Sequence, residues 1–406
     1  MDKNKRLTVW LPVIIAASIA LGIFIGNHYL SISQGKKRSY SSGNKINAIL
    51  DIIDEQYVDT VSMSKLVEST IPKIFSELDP HSVYIPAEDA SVVNEELEGS
   101  FSGIGVSFNM QTDTILVISV ISGGPAEKAG LLPFDRIISI NDSIFSGKKK
   151  NQGEIMKTLR GAKNSTVKLG VQRGNSPELL YFDVTRGDVP VNSVDVSFEA
   201  AKGIGYIKVS KFARNTYNEF ITAIAKLKQA GCTSFVIDLR GNTGGYMDAA
   251  INMINEFMPE GRLIVYTEGK SFPRSDVYAN GTGTCKDAPI VVLTDEISAS
   301  ASEIFSGAIQ DNDRGTIIGR RTYGKGLVQT QMSLSDGSEM RLTIARYYTP
   351  SGRCIQKKYE MGNTDAYDQD IYNRYMHGEF DSADSIKMDD SLKYQTVGGR
   401  TVYGGG

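Results

Sequence analysis

The sequence predicts the α/β fold class, with a helical module first, then a β-rich block, then a larger domain built on a parallel sheet. Three observations lead to this prediction. Apolar residues recur at helical spacing in residues 44–85, short β-rich runs between glycine turns fill residues 86–188, and strand and helix patterns alternate over residues 189–406. Such alternation is typical of parallel sheets, because parallel neighbours need crossover connections.

The composition is that of a folded protein with no charge-driven partner. The 406 residues are 41% hydrophobic and carry a formal net charge of −3, which is enough chain for two or three domains with cores. No basic stripe is interleaved with aromatic residues, so nucleic acid is not an expected partner. The three cysteines, Cys232, Cys285 and Cys354, match neither a disulfide framework nor zinc-ligand spacing, and no cofactor is predicted.

Residues 1–30 are predicted to anchor the chain in a membrane. Residues 7–26 carry no charge, and this stretch is long enough to cross a hydrocarbon core. Lys3, Lys5 and Arg6 precede it. This charge asymmetry predicts a cytoplasmic N-terminus, with the catalytic part on the periplasmic or extracytoplasmic side of the inner membrane. A cleaved signal peptide is the alternative, but no small-x-small site follows Ile25. A polar linker is predicted over residues 31–43.

Two amphipathic helices are predicted in residues 44–85, as a packing module. Apolar residues recur at the spacing of one helix face, at Ile46, Ile49, Leu50 and Ile53, and then at Val67, Ile71, Ile74, Phe75 and Leu78. The segment Leu78-Asp79-Pro80-His81-Ser82 ends this pattern, and a β-rich pattern begins after it.

Three short motifs mark residues 86–188 as a separate domain. They are Ser102-Gly103-Ile104-Gly105-Val106, Gly124-Pro125-Ala126-Glu127-Lys128-Ala129-Gly130-Leu131 and Asp135-Arg136-Ile137-Ile138-Ser139-Ile140-Asn141. Each alone is compatible with simple glycine turns, but together and in this order they resemble a PDZ domain. Strands are predicted at 104–108, 115–120, 136–140, 167–172 and 180–184, with a helix at 153–159. The resemblance implies that backbone N–H groups of Gly103, Ile104, Gly105 and Val106 bind a terminal carboxylate while the peptide adds as a strand.

Residues 189–406 begin with a strand at 205–210, a helix at 216–230 and a strand at 234–239. A glycine turn, Asp238-Leu239-Arg240-Gly241-Asn242-Thr243-Gly244-Gly245, closes the second strand and is expected to open a helix that runs to about residue 258. Another buried strand at 289–294 leads to Ser300. Residues 357–394 are rich in charge and tyrosine, and are predicted to be a solvated insertion.

Ser300 allows two interpretations, a helix cap and a nucleophile. Apolar residues follow it at helical spacing, and Ser300-Ala301-Ser302-Glu303 is the pattern of a capping box. The position also exposes the hydroxyl at the carboxyl edge of a sheet, beside free N–H groups that suit an oxyanion. With only His28, His81 and His377 in the chain, a Ser-His-Asp triad is poorly supplied, and a neutral lysine is the accepted substitute for the base.

Lys325 follows Ser300 by 25 positions, inside Gly324-Lys325-Gly326. Read alone, it is a surface lysine in a glycine turn. Tyr323 and apolar neighbours would desolvate its amine and lower its pKa, and Gln329 offers an amide to orient it. The two residues are therefore predicted to be a nucleophile and its base.

At these residues the sequence resembles the carboxy-terminal processing proteases, also called tail-specific proteases. The matching segments are Ser298-Ala299-Ser300-Ala301-Ser302-Glu303-Ile304 and Tyr323-Gly324-Lys325-Gly326-Leu327-Val328-Gln329, and Thr243 stands where the family's glycine turn has proline. The resemblance implies Ser300 as nucleophile, Lys325 as general base and Gln329 as its orienting residue. It also implies oxyanion donors at the backbone N–H of Ala301 and of Gly244 or Gly245, and a crotonase-like spiral α/β core. Family members with a similar tail continue beyond a Gly-Gly-Gly such as residues 404–406.

The predicted anchor and the resemblance together imply a membrane-anchored serine endopeptidase. Its PDZ domain captures flexible proteins by free, apolar C-termini; a homo-oligomer or an adaptor partner stays open. A catalytically silent PDZ scaffold is the first alternative, but it would not need Ser300, Lys325 and Gln329 together. A crotonase-like acyl-CoA enzyme is the second, but it would not need a PDZ domain.

Overall fold

The computed structural model describes residues 16–22, 42–111, 114–145, 152–386 and 388–406. In this part of the chain, no helix is both long and apolar enough to cross a membrane. The predicted anchor at residues 7–26 lies outside the described residues, apart from the helical stretch 16–22. The chain divides into two compact units, Met1–Thr70 and Ile71–Gly406.

Two helices follow the predicted linker, as the apolar spacing indicates. Helix α1 is Ser42–Gln56, and helix α2 is Met63–Ser76. No side chain of α2 is fully buried, and Ile46, Ile49 and Ile52 of α1 are about half exposed. The two predicted helices are confirmed, while their role as a packing module stays a prediction.

The β-rich block is an antiparallel sheet flanked by two short helices. Strand β1 (Val83–Ile85) and helix α3 (Ala87–Glu98) lead to it; its elements are β2 (Ser100–Gly103), β3 (Val106–Gln111), β4 (Thr114–Val120), α4 (Pro125–Ala129), β5 (Arg136–Ile140), β6 (Ser143–Ile144), α5 (Gln152–Leu159), β7 (Thr166–Gln172), β8 (Leu180–Thr185) and β9 (Gly187–Pro190). The sheet order is β3-β4-β5-β7-β8, with β3 at one edge. The predicted strand at 104–108 is wrong at its start, because Ile104 and Gly105 form a loop between β2 and β3, with φ +79° at Gly105.

The larger domain contains the predicted parallel sheet. Its strands are β10 (Val194–Ala201), β11 (Ile204–Val209), β12 (Ser234–Asp238), β15 (Ile290–Thr294) and β16 (Thr316–Gly319), in that order, and all pairs except β10–β11 are parallel. Its helices are α6 (Thr216–Gln229), α7 (Met247–Asn255) and α8 (Ala301–Asp311). Since β12 and β15 are neighbours, the glycine turn and the serine turn leave the same carboxyl edge of the sheet. Helix α7 begins after Tyr246 and ends earlier than predicted.

Aromatic packing joins the helices to this sheet. The ring of Phe257 makes edge contacts with Phe220, Phe235 and Phe305, at centroid distances of 6.2, 6.2 and 6.4 Å. These rings come from α6, β12 and α8, and all are buried. Edge contacts of this kind contribute about 0.5–1.5 kcal/mol each beyond area burial, so α8 is held firmly against the sheet.

A second, antiparallel sheet supports the loop of Lys325. It is formed by β1, β13 (Leu263–Glu268), β14 (Ser275–Tyr278), β17 (Leu327–Ser333) and β18 (Glu339–Tyr348). Strand β1 pairs with β18, with Val83 opposite Arg341. Residues 83–85 therefore belong to this sheet and not to the helical module to which the sequence assigned them.

Residues 357–394 are mostly exposed, as expected of a solvated insertion, but they also contain regular structure and a few buried side chains that the sequence did not indicate. They contain helix α9 (Thr364–Met376), and a hairpin of β19 (Lys393–Gln395) and β20 (Thr401–Tyr403) follows. Tyr367 and Arg374 of α9 are buried, and the Arg374 guanidinium donates to the carbonyl oxygens of Arg321 and Thr322. Long side chains carry apolar stems and paired polar ends, so a charged, tyrosine-rich composition is compatible with burial.

Candidate active site

Ser300 lies at a sharp turn between β15 and α8. It is the N-cap of α8, with φ +53° and ψ −112°, a backbone conformation that is unfavourable for any residue with a Cβ. Strain of this kind is typical of functional sites, where a strand-to-helix turn exposes a nucleophile. The predicted capping box is present: Glu303 accepts the Ser300 N–H at 2.9 Å, and the Ser300 side-chain oxygen faces the Glu303 N–H. In this role the hydroxyl oxygen only accepts, so its own proton stays available to a base.

Glu303 connects the serine turn to the lysine loop, a role that the sequence did not reveal. Its buried carboxylate accepts hydrogen bonds from Thr322 Oγ1 (2.7 Å), Gly324 N–H (2.7 Å) and Lys325 N–H (2.8 Å), besides that of Ser300. Burial raises the pKa of Glu303, and these donors oppose the rise. One carboxylate thus fixes the backbone at both members of the predicted pair.

Lys325 is in the desolvated environment that its predicted role requires. Burial lowers the pKa of the Lys325 amine, and Arg341 lowers it further, while Asp79 and Glu303 oppose the change. A neutral amine is thereby favoured, and a neutral amine can accept a proton.

The glycines beside Lys325 are held by backbone and side-chain bonds. Gly324 carbonyl accepts from Lys357 N–H at 2.9 Å, and Gly326 carbonyl accepts from Tyr347 N–H at 2.7 Å. Gly326 N–H donates to Gln356 Oε1 at 2.9 Å. A Cβ at Gly324, where φ is +85°, would lie 2.9 Å from the Lys357 Cβ, so glycine is required there.

Gln329 lies on β17, but its described contact is with His81. Its Nε2 donates a hydrogen bond to the His81 carbonyl oxygen. Among the described residues Gln329 makes no hydrogen bond to Lys325, so its orienting role stays a prediction. Burial and the nearby Lys325 lower the pKa of His81 to about 4, which Asp79 opposes and Lys357 assists.

The turn that carries His81 is a part of the site that the sequence analysis treated only as a boundary. Asp79 Oδ1 accepts from the N–H groups of His81 (3.0 Å) and Ser82 (3.1 Å), and from Thr343 Oγ1 on β18 (2.9 Å). The available signal was the Asp-Pro pair, which favours a turn closed by the aspartate side chain.

The glycine turn lies against the serine turn, as the oxyanion prediction requires. At Gly244, where φ is +105°, a Cβ would lie 2.8 Å from Ser300 Cβ and 3.0 Å from Ala301 N. Gly244 N–H is already engaged by Asn242 Oδ1 at 2.9 Å. Among the hydrogen bonds of the described residues, none uses the N–H of Gly245 or of Ala301. Of the two predicted alternatives, Gly245 is therefore the one whose N–H is unengaged, and the oxyanion role stays a prediction.

The predicted carboxylate-binding loop lies at the open edge of the β-rich block. The carbonyls of Ile104 and Gly105 accept from Ala126 N–H (2.7 Å) and Ile121 N–H (3.0 Å), which anchors the loop from within. Val106 begins β3, which pairs only with β4 among the described strands. An edge strand beside an anchored glycine loop is suited to the addition of a peptide strand.

Among the described residues, no three His, Cys, Asp or Glu side chains are grouped so that they could hold a metal ion. The three cysteines are free thiols, two of them buried.

Comparison with known proteins identifies both domains. Residues 203–365 match the model of Peptidase family S41, and residues 102–195 match that of the PDZ domain. The chain is 33% identical over 365 residues to a probable CtpA-like serine protease of Staphylococcus aureus (strain N315), covering 88% of this chain and 72% of that protein. The chain belongs to the family of carboxy-terminal processing serine proteases.

Two further members of this family are similar to the chain. It is 35% identical over 318 residues to the carboxy-terminal processing protease CtpB of Bacillus subtilis (strain 168), covering 78% of this chain and 66% of that protein. The solved structure of a photosystem II D1 C-terminal processing protease is 28% identical, covers 75% of this chain and 88% of that one, and superposes with a TM-score of 0.42. The turn of Ser300 and the loop of Lys325 both lie within the S41 segment.

Family membership decides between the three functions considered from the sequence. A carboxy-terminal processing serine protease with a PDZ domain accounts for both matched segments. The silent scaffold is not favoured, because the relatives are named as proteases. The acyl-CoA enzyme has no support in the matched families.

Proposed function

We propose that this chain is an endopeptidase in which Ser300 is the nucleophile and Lys325 the general base. The observation that carries the proposal is the Glu303 carboxylate, which accepts the backbone N–H groups of both residues. A shared buried acceptor keeps two separate chain segments in a fixed relation, as a catalytic pair needs.

The reaction follows from the groups at the site. The neutral Lys325 amine accepts the Ser300 hydroxyl proton while Oγ bonds to a peptide carbonyl carbon. The resulting oxyanion accepts hydrogen bonds from the N–H groups of Ala301 and Gly245. Protonated Lys325 then gives its proton to the leaving amine, and water hydrolyses the acyl-enzyme. Gln329 is proposed to orient the lysine.

Substrate selection is proposed to reside in the PDZ domain. A flexible protein C-terminus would add to β3 as an extra strand. Its carboxylate would accept hydrogen bonds from the backbone N–H groups of the loop Gly103-Ile104-Gly105-Val106. Support comes from the open edge of β3 and from the inward-bonded loop carbonyls. Free, apolar C-termini are the proposed substrate class.

The first test compares cleavage of a flexible protein with an apolar C-terminus by the wild type, Ser300→Ala and Lys325→Ala. Each substitution is expected to lower kcat by about a thousandfold or more, because the dyad acts as a unit. Lys358→Ala, which removes an exposed lysine, is the matched control and should retain activity. Turnover that survives both dyad substitutions would show that the mechanism is wrong.

A second test compares the same substrate with a free and an amidated C-terminus. The amide should be cleaved more slowly, since the loop would no longer meet a carboxylate. Equal rates would reject tail capture and leave the dyad untouched.

The membrane anchor, the extracytoplasmic location and the crotonase-like spiral core are proposed with this function. The anchor is supported by the uncharged residues 7–26 after Lys3, Lys5 and Arg6. Membranes from cells that express the full chain should retain it after alkaline extraction, while a chain that begins at residue 27 is released. Release of both forms would reject the anchor.

A further inference from the structure

Helix α9 brings a buried tyrosine hydroxyl to residues that contact the active-site segments. Tyr367 is 4% exposed, and its hydroxyl lies 2.9 Å from His81 Nε2 and 3.3 Å from Gln356 Nε2. The S41 match ends at residue 365, so Tyr367 lies just outside the matched segment.

The direction of these hydrogen bonds follows from Gln356. Its Oε1 accepts from Gly326 N–H, so the Nε2 that faces Tyr367 can only donate. The Tyr367 oxygen accepts from Gln356, and its own proton can go to His81 Nε2 at 2.9 Å or to the Tyr323 hydroxyl, its other side-chain partner. We assign the proton to His81 Nε2, because a neutral imidazole nitrogen is a stronger acceptor than a phenol oxygen. His81 then accepts at Nε2 and carries its proton on Nδ1. A neutral ring is consistent with the burial that lowers the pKa of His81 to about 4.

The ring of Tyr367 has a second and separate set of contacts. The Lys357 ammonium lies 4.1 Å from the centroid of this ring and 4.3 Å from that of Tyr323, and it donates to Asp370 at 2.9 Å. Lys357 N–H in turn holds the Gly324 carbonyl. Removal of the hydroxyl alone leaves these ring contacts in place.

We infer that Tyr367 is a positioning residue for the base Lys325 and that it acts through its hydroxyl. Through Gln356 it fixes Gly326, the neighbour of Lys325, and through His81 it fixes the carbonyl that holds Gln329. The hydroxyl thus joins the loop of the base to the strand of its proposed orienting residue. The inference rests on the proposed function, in which Lys325 acts on Ser300.

The test is Tyr367→Phe in the full chain, with thermal unfolding as a check on folding. For cleavage of the flexible protein substrate, kcat should fall about tenfold while KM changes less than twofold, since the base is misplaced and the tail-binding surface is intact. Tyr372→Phe, which removes an exposed hydroxyl of the same helix, is the control and should match the wild type.

A second readout is independent of catalysis. The chain has only three histidines, so solid-state NMR of the 15N-histidine-labelled protein can assign their tautomers. His81 should be protonated on Nδ1 in the wild type and should populate the other tautomer in Tyr367→Phe. The effect of Tyr367→Phe on kcat should also shrink in a His81→Gln background, because coupled residues are not additive.

The outcomes separate the inference from the function beneath it. An unchanged kcat, an unchanged His81 tautomer, or additive effects of the two substitutions would each overturn the positioning role. Absence of Ser300-dependent cleavage by the wild type would instead reject the proposed function. The tautomer measurement would then still decide whether the Tyr367 hydroxyl controls His81.

Discussion

At the scale of single residues, the lowered pKa of Lys325 predicts the pH dependence of cleavage. The base acts when it is deprotonated, and burial lowers its pKa from the ordinary 10.5. The rate should therefore rise with pH as Lys325 loses its proton, with the midpoint below 10.5. A pH profile of kcat/KM measures this. Lys325→Arg, which stays protonated, should be inactive throughout, and a midpoint at or above 10.5 would contradict the prediction.

Burial of Lys325 should also lower the free energy of unfolding of the folded chain. Because its pKa is lower in the folded chain, the unfolded chain binds more protons between that pKa and 10.5. Stability contributed by this group is thus present above 10.5 and is lost as pH falls through the folded pKa. Lys325→Met should be more stable by about 1 kcal/mol at neutral pH and should remove this part of the pH dependence. Urea unfolding at two pH values tests it; a less stable Met variant would contradict it.

Glu303 should be sensitive even to replacement by its amide. In Glu303→Gln an NH2 group replaces one carboxylate oxygen. This NH2 group faces backbone N–H donors, from which it cannot accept a hydrogen bond. We expect a loss of about 2 kcal/mol in the free energy of unfolding and of about a hundredfold in kcat. Denaturant unfolding and cleavage kinetics measure the two, with the exposed Glu178→Gln as control. Wild-type kcat in Glu303→Gln would show that the carboxylate does not hold the dyad.

At the scale of elements, the glycine turn after β12 should tolerate a methyl group at one position and not at another. Gly241 and Gly244 have φ of +72° and +105°, but only at Gly244 would a Cβ meet Ser300 Cβ, at 2.8 Å. Gly244→Ala should lower kcat about a hundredfold by displacing the serine turn. Gly241→Ala should cost about 1 kcal/mol of backbone strain and retain activity. Similar kcat values for the two variants would argue against close packing of the turns.

The elements also show where sequence patterns stop being informative. The strand at 136–140 and the parallel order of the core were predictable, because apolar periodicity and strand–helix alternation are local signals. The start of β3 was not predictable from the sequence. Ile104 lies in a loop but is buried, so it has the apolar character of a strand residue. Helix α9 was missed because its burial depends on Arg374 and Tyr367 finding partners far along the chain.

At the scale of the whole molecule, the PDZ domain is an insertion whose ends meet. Strands β2 and β9 pair, and Val191 N–H donates to the Gly99 carbonyl at 2.9 Å. At this junction Glu98 accepts from Arg214 and from the Tyr246 hydroxyl, next to Gly245. Domains whose ends are adjacent can be removed without opening the host domain.

Replacement of residues 100–190 by a short Gly-Ser linker should therefore leave the protease core folded. The variant should keep Ser300-dependent cleavage but lose its preference for a free over an amidated C-terminus, because the carboxylate loop is gone. Circular dichroism and the paired-substrate assay measure these two properties. A retained preference would place tail recognition outside the PDZ domain.

The sequence by itself determined the α/β class, the PDZ motifs and the chemistry expected of Ser300 and Lys325. These are readable because strands, glycine turns and short motifs are encoded by neighbouring residues. Only the tertiary structure decided that Glu303 joins the serine turn to the lysine loop, that Gly245 rather than Gly244 has a free N–H, and that Tyr367 reaches His81. Those facts depend on which hydrogen-bond partner each polar group finds, and the partners are brought together by folding across as many as 286 positions.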